Sequence, residues 1–219
     1  MGVERDWQVL LVGGASGVGK TQVSYRLARH YGIGITEVDD FQIILERMTD
    51  PERYPVLHYW RLHWEEARRM DEDQQLEFML SCSRLIAEAL SPVIANHLET
   101  RAPVVLEGDF ILPSLAVQAT YEDLPNDEQV RAIFLYEENE EQLGVNYLSR
   151  EGEAQPGRAR ASYRHSEWLR QEAARWRADH PLPSMGDGIG TSYCHDRFGP
   201  KATAVGGHAT MVGGRRASL

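Results

Sequence analysis

The feature that most constrains the fold is a glycine-rich segment near the N-terminus, between a short apolar run and a helical pattern. Its sequence, G-A-S-G-V-G-K-T over residues 14–21, satisfies the pattern G-x-x-x-x-G-K-[S/T] in full. In this strand–loop–helix setting, backbone N–H groups turn inward around phosphates, and the positive end of the helix dipole faces them. The segment therefore predicts a loop that binds the phosphates of a nucleoside triphosphate.

The pattern also predicts individual contacts with ATP and Mg²⁺, the two expected cofactors. Lys20 is expected to reach the β- and γ-phosphates and to act in catalysis, and the Thr21 hydroxyl is expected to bind Mg²⁺. A glycine-rich turn that merely connects two elements is the alternative interpretation. The predicted nucleotide-binding residues are Gly14, Ala15, Ser16, Gly17, Val18, Gly19, Lys20 and Thr21.

Apolar runs alternate with helical patterns along the chain, which predicts an α/β fold with a doubly wound parallel sheet. Gly32 is a plausible C-cap for the first helix. The predicted strands are residues 8–12, 33–38, 103–106, 130–136 and a short 180–185, and the predicted helices are residues 21–31, 137–148 and 162–179.

The 219 residues suit one domain with insertions, which we predict to span residues 1–199. A mainly helical insertion at about 41–100 is expected to bind the acceptor, with breaks near Asp50-Pro51, Tyr54-Pro55 and Ser91-Pro92. A Gly- and Pro-containing loop at about 149–161 has the composition of a mobile lid. Residues 200–219 are expected to form a flexible tail.

Two aspartates follow the second predicted strand, at the edge of the sheet where ligands bind in such folds. Asp39 is the preferred candidate for a base that accepts the proton of an attacking hydroxyl, or for a magnesium ligand. Asp40 is a second candidate for the acceptor site. The alternative is that one of the pair caps the helix expected to begin at Phe41.

The third predicted strand ends in Glu107-Gly108-Asp109, so its acids should open onto the same crevice. Glu107 is a candidate magnesium ligand, and both Glu107 and Asp109 are candidates for contact with the acceptor. A turn that only reverses the chain is the competing interpretation.

Arginines concentrate in and after the predicted lid, where guanidinium groups could close over the transferring phosphoryl group. Arg150 is the preferred catalytic candidate, although solvated surface charge would explain scattered arginines equally well. The cluster consists of Arg150, Arg158, Arg160 and Arg164.

Aromatic and imidazole groups concentrate in the helical insertion, where they could line an acceptor pocket. His58 is a candidate for contact with the acceptor. The spacing of Trp60 and Trp64 favours packing in the core.

Composition excludes several classes of protein. A net charge of −10 disfavours nucleic acid as a partner. The two cysteines, Cys82 and Cys194, lack the spacing of a zinc site or a disulfide framework. With no secretory pattern at the N-terminus and no apolar stretch of about 18 residues, we expect a cytoplasmic protein without membrane contact.

Together, the loop G-G-A-S-G-V-G-K-T, Asp39 and the E-G after the third strand resemble small P-loop kinases of the adenylate-kinase-like group. Within this group the chain is most similar to 2-phosphoglycerate kinase, and more distantly to chloramphenicol phosphotransferase. The resemblance spans about residues 9–177 and includes V-V-L-E-G-D-F-I-L-P and the stretch from Arg150 to Tyr163-Arg164. It implies ATP and magnesium binding by the loop, a base at Asp39 and a lid that contains Arg150.

The sequence departs from the 2-phosphoglycerate kinase pattern directly after Asp39, where Asp40-Phe41-Gln42 replaces a run that leads to a basic residue. Acids also outnumber Lys and Arg around the expected pocket. A neutral or cationic hydroxyl compound, such as a natural product, a nucleoside or another metabolite, is therefore the expected acceptor. The alternatives are a nucleoside monophosphate kinase and a nucleotide-binding switch or ATPase.

Overall fold

The computed structural model describes residues 5–179 and 202–205, with side chains described up to residue 176. The strands are β1 (Val9–Gly14), β2 (Gly34–Glu37), β3 (Val104–Gly108), β4 (Thr120–Tyr121), β5 (Leu124–Pro125), β6 (Val130–Leu135) and β7 (Ala202–Val205). The helices are α1 (Lys20–Tyr31), α2 (Val38–Met48), α3 (Pro55–Leu62), α4 (Trp64–Ala67), α5 (Glu72–Thr100), α6 (Pro113–Ala116), α7 (Glu140–Glu151) and α8 (Pro156–Asp179).

The main sheet has five strands in the order β2-β3-β1-β6-β7. Strands β1, β2, β3 and β6 are parallel, which confirms the predicted sheet, whereas β7 pairs antiparallel with β6. Parallel neighbours place the carboxyl ends of β1 and β3 side by side, with Val12 opposite Glu107 and Gly13 opposite Gly108. The phosphate-loop candidate and the acids after β3 therefore lie at one edge of the sheet.

Helices cover both faces of the sheet, because alternate residues of its buried strands point to opposite sides. Leu10 and Val12 pack with Leu27 of α1 on one face. Leu11 and Leu106 pack with Ile86 of α5 on the other. This arrangement is the doubly wound α/β fold expected from the sequence.

Helix α5 is longer than predicted, because it continues through Ser91-Pro92. Proline removes one backbone hydrogen bond, but burial of Leu90, Ile94 and Ala95 holds the helix against the core. The other two expected breaks are present, since α2 ends at Met48 and α3 begins at Pro55.

By length and composition, α5 could also cross a membrane, which the sequence patterns did not indicate; it is the one such helix within the described part of the chain. A buried core helix passes the same test. Because Ile86, Leu90 and Ile94 have no exposed surface, we interpret α5 as a helix of the domain core.

The predicted loop at about 149–161 is mostly helical. Helix α7 continues to Glu151 and is capped by Gly152 in the left-handed conformation (φ 79°), and α8 already begins at Pro156. Glycine after a helix and proline at the first helical position are ordinary boundary signals. These two residues therefore mark the ends of two helices, and the connection between them is short.

Part of the segment expected to form a flexible tail, Ala202–Val205, extends the sheet as β7. The rest of that segment and the predicted strand at 180–185 lie outside the described residues. The β4–β5 hairpin was not predicted, because each of its strands has only two residues.

Candidate active site

The glycine-rich loop connects β1 to α1, as the sequence predicts. Gly19 precedes the first residue of α1 with φ 94°, a conformation that L side chains rarely adopt. Lys20 is buried, and its Nζ donates a hydrogen bond to the Ala15 carbonyl oxygen at 3.0 Å. The lysine therefore folds back over the loop, where it can meet bound phosphates.

Acids at the carboxyl end of β3 contact the first two residues of α1. Asp109 forms a short ion pair with Lys20, and the Thr21 hydroxyl donates to Glu107 Oε1 at 3.3 Å. Glu107 is buried, and its Oε2 has no hydrogen-bond partner among the described residues. Burial raises the pKa of Glu107, while the charge of Lys20 opposes that rise.

Helix α2 begins at Val38, one turn earlier than the sequence suggested, so both aspartates lie in its first turn. Neither is the N-cap residue, which is Glu37, and the expectation that one of them caps a helix starting at Phe41 is wrong. Asp40 is exposed. Carboxylates in a first turn still interact favourably with the helix dipole.

Asp39 lies close to the acids of β3 because α2 approaches Gly108 closely. A Cβ atom at Gly108 would lie 2.7 Å from Val38 Cβ and 3.2 Å from Asp39 Oδ1. Desolvation and the negative charge of Asp109 raise the pKa of Asp39, and Lys20 opposes the shift. The Asp39 side chain still reaches solvent, so its carboxyl group can exchange a proton with a bound molecule or with water.

Helices α7 and α8 pack directly on the glycine-rich loop. Asn146 Nδ2 donates to the Gly17 carbonyl oxygen at 2.9 Å. Arg158 Nη2 lies 3.4 Å from Ser16 Oγ, and its guanidinium group lies 4.7 Å from the centre of the Tyr147 ring. Of the four clustered arginines, Arg158 is therefore the one that contacts the loop.

Arg150, the preferred arginine from the sequence, has a different environment. It pairs with Glu151 and lies over the Tyr147 ring at 5.1 Å. Its place in catalysis stays a prediction. The other two arginines of the cluster bind the start of α5, Arg160 through Glu72 and Arg164 through Asp73.

His58 is buried in a hydrogen-bond chain that joins α3 to α2. Arg61 Nη2 lies 2.9 Å from His58 Nδ1, and His58 Nε2 lies 3.0 Å from the Thr49 hydroxyl, which donates to the Leu45 carbonyl oxygen. Both ring nitrogens are thus occupied within the protein. The structure gives His58 a role in holding the helices together, and the acceptor contact predicted for it stays untested.

A cavity of about 200 Å³ opens beside the glycine-rich loop, between α5 and α8. Its wall is mainly apolar, with a few polar groups, of which Arg158 is charged. Its described lining residues include no carboxylate, and the acid-rich surroundings expected for the acceptor stay a prediction. The lining residues are Gln42, Trp60, Gln75, Leu76, Phe78, Met79, Cys82, Phe110, Arg158, Ala161, Ser162 and His165.

Most of the residues that line this cavity were not predicted from the sequence, although four of them have a spacing that indicates one face of a helix. Arg158, Ala161, Ser162 and His165 recur at the spacing of one helical face. Small residues in the middle of that face leave room for a ligand. Trp60, expected in the core, is 42% exposed and lines the cavity, and Trp64 is 51% exposed.

No three His, Cys, Asp or Glu side chains form a metal-binding group within the described ranges 5–179 and 202–205. A magnesium site of a kinase needs few protein ligands, because phosphates and waters complete its shell. Thr21 and Glu107 fit such a site, since both supply oxygen atoms and Glu107 Oε2 is unpaired. The Asp39 carboxyl lies near the same acids and was the third predicted ligand.

The parallel sheet, the loop between β1 and α1, and the acids beside it define a P-loop nucleotide-binding fold of the nucleotide-kinase-like type. The sequence matches no protein-family model. It is similar to 2-phosphoglycerate kinases of Methanococcus maripaludis, with 28% identity over 131 residues for strain C7 and over 126 residues for strain C5. The resemblance to this kinase group is thereby confirmed.

These matches cover 54% of the chain and 40% of the relatives, so the chain spans less than half of the length of the relatives it matches. A gluconokinase from Sinorhizobium meliloti 1021 has a TM-score of 0.36 and 18% identity, with coverage of 74% of this chain and 76% of that one.

Proposed function

We propose that this protein is an ATP-dependent phosphotransferase that moves the γ-phosphoryl group of ATP to a hydroxyl group of a small molecule. The observation that carries the proposal is the cluster at the carboxyl ends of β1 and β3, where Lys20 and Thr21 meet Asp109 and Glu107. The similarity to kinases supports the same class of reaction.

In this proposal the donor half of the site holds the triphosphate. Backbone N–H groups of the loop bind the phosphates, and Lys20 stabilises the charge on the transferring group. Asp109 positions the Lys20 ammonium group before ATP arrives. Thr21 and Glu107 would hold Mg²⁺, which when bound neutralises phosphate charge.

The acceptor half orients a hydroxyl group for attack. The acceptor oxygen forms a bond with the γ-phosphorus, the bond from that phosphorus to the bridging oxygen breaks, and ADP leaves. The hydroxyl proton passes to Asp39, whose raised pKa makes it a better proton acceptor than an ordinary aspartate. Arg158, beside Ser16, stabilises the phosphoryl oxygens.

The experiment is a transfer assay with radiolabelled ATP and a set of hydroxyl compounds, compared with ADP release in the absence of an acceptor. We expect phosphorylated product from at least one compound. Lys20→Ala should lower kcat by roughly a thousandfold, because it removes a charge that stabilises the transition state. The matched control is Arg29→Ala, which removes a positive charge from the exposed last turn of the same helix.

ADP release that is independent of every acceptor would contradict the proposal and favour an ATPase or a nucleotide-operated switch. Efficient transfer to nucleoside monophosphates would instead identify a nucleoside monophosphate kinase. Location in the cytoplasm and the absence of nucleic-acid partners stay predictions from composition.

A further inference from the structure

The cavity between α5 and α8 has the chemistry of a site for an apolar molecule. Its wall includes the side chains of Leu76, Phe78, Met79 and Phe110, and Trp60 covers one side. Apolar walls with a few placed polar groups are typical of small-molecule sites. A dry apolar cavity of about 150 Å³ holds benzene, so a cavity of about 200 Å³ has room for a body of one ring.

Two connections join this cavity to the donor half of the site. Arg158 lines the cavity and also contacts Ser16 of the glycine-rich loop. Phe110 lines it and directly follows Asp109, the partner of Lys20. A molecule in the cavity would therefore lie next to the phosphates of bound ATP.

His165 is the buried polar group of the cavity wall that lacks a partner. It is 4% exposed, and its Nε2 has no hydrogen bond to any described residue. Burial lowers the pKa of His165 to about 4, so the ring is neutral at neutral pH. A buried imidazole without a full set of partners is costly, and a ligand hydroxyl against this wall would give the ring a hydrogen-bond partner.

The charged groups of the cavity do not suit an anionic acceptor. Arg158 is the charged side chain of the wall; it pairs with Glu151 at 2.8 Å and lies beside Ser16, where the proposed function assigns it to the phosphoryl group. A neutral His165 contributes no positive charge. A phosphorylated or carboxylated acceptor would lose its hydration here without a full set of cationic partners, which is costly.

We infer that the acceptor is an uncharged alcohol with a compact apolar body of about one ring, bound between α5 and α8 with its polar end hydrogen-bonded to His165. This inference rests on the proposed phosphotransferase function and specifies its substrate class. It distinguishes the chain from its relatives named 2-phosphoglycerate kinase.

The test measures transfer from radiolabelled ATP to benzyl alcohol, phenethyl alcohol and cyclohexylmethanol, with 2-phosphoglycerate and gluconate as the charged comparison. We expect kcat/KM for the best apolar alcohol to exceed that for either anion by roughly tenfold or more. Transfer to the anions alone overturns the inference and leaves the phosphotransferase function intact. Transfer to none of the three alcohols, while another hydroxyl compound of the wider set is phosphorylated, also overturns the inference alone. ADP release that no compound of the wider set changes contradicts the phosphotransferase function itself.

A charge introduced into the cavity wall by substitution supplies a second test. Met79→Glu should raise KM for phenethyl alcohol by roughly tenfold or more while KM for ATP stays unchanged. The matched control is Met48→Glu, because Met48 lies on α2 with 81% of its surface exposed. An unchanged KM for the alcohol in a folded Met79→Glu protein would overturn the inference.

His165→Phe is the variant that keeps an aromatic ring in the wall, slightly larger than the imidazole, and removes the polar nitrogens. Because the nitrogen has no partner in the protein, this change should leave the melting temperature equal or higher. We expect KM for phenethyl alcohol to rise by roughly tenfold, with KM for ATP unchanged. If His165 were only an unsatisfied core histidine, the melting temperature would rise and KM would not change, and that result would overturn its assignment.

Discussion

The two halves of the candidate site differ in how they are built. The donor half is one continuous peptide, Gly14–Thr21, with acids from the neighbouring strand end held against it. The proposed acceptor half is a cavity whose lining comes from α2, α3, α5, α8 and the segment after β3. The first depends on local backbone geometry, and the second depends on how distant helices pack.

The halves also differ in charge. Lys20, Asp109 and Glu107 give the donor half both signs of charge, as a site for phosphate and metal requires. The cavity has an apolar wall and a neutral histidine. A charged phosphoryl group and an apolar alcohol could thus be held side by side.

The largest expected effect tests whether the acceptor half excludes water from His165, as its apolar lining suggests. The pKa of His165 lies at about 4, below its ordinary value of 6.5, so the unfolded chain binds a proton that the folded protein excludes. Stability should therefore fall as the pH decreases from about 6.5, by up to about 3 kcal/mol once the pH is below 4. The charges of Asp109 and Lys20 act on the ring in opposite directions.

Urea unfolding of the wild type and of His165→Phe at a series of pH values measures this contribution. The phenylalanine variant cannot take up the proton, so its advantage in unfolding free energy should grow from neutral to acid pH. Parallel curves for the two proteins would mean that water reaches His165, and the acceptor half would then not exclude water.

The next effect concerns the contact that brings α2 to the donor half. In Gly108→Ala, the new methyl group would lie 2.7 Å from Val38 Cβ, so α2 and Asp39 must shift. We expect a loss of about 2 kcal/mol in unfolding free energy and a clear fall in kcat. Chemical denaturation and the transfer assay measure the two effects.

Gly144→Ala is the matched control for that change. A Cβ atom at Gly144, inside α7, would meet no atom within 4 Å, so this variant should gain about 0.5–1 kcal/mol of stability. If Gly108→Ala is equally well tolerated, the position of Asp39 does not depend on the close approach at Gly108.

The smallest effect compares two arginines that share one aromatic ring. Arg158 contacts both Ser16 and the cavity, whereas Arg150 pairs with Glu151 beside the same Tyr147. Arg158→Ala should lower kcat/KM by roughly tenfold, and Arg150→Ala should change it less. Steady-state kinetics decide between them, and a larger loss for Arg150→Ala would restore the sequence-based preference.

The sequence predicted the fold where its signals were local and strong. The apolar runs of β1, β3 and β6, the glycine-rich loop and the C-cap at Gly32 all appear as expected. The sequence-based prediction was wrong where a local signal is compatible with two different structures. Gly152 and Pro156 indicate a loop by composition, yet they mark the end of one helix and the start of the next.

Long-range packing explains the other differences. Pro92 predicts a break in the helix, but burial of the residues around it keeps α5 continuous. Trp60 has the spacing of a core residue, yet it covers an open cavity. His165 carried no motif, because its significance depends on a missing partner that only the folded protein defines.

By itself, the sequence determined the phosphate loop and the parallel sheet that presents it, because the loop is a single peptide whose glycines permit the positive φ angles it needs. The placement of Asp39, Glu107 and Asp109 at one edge follows from the same sheet. Only the tertiary structure decided which arginine contacts the loop and what lines the cavity. Those residues are separated by many positions along the chain, and their proximity arises from the packing of α5 against α8.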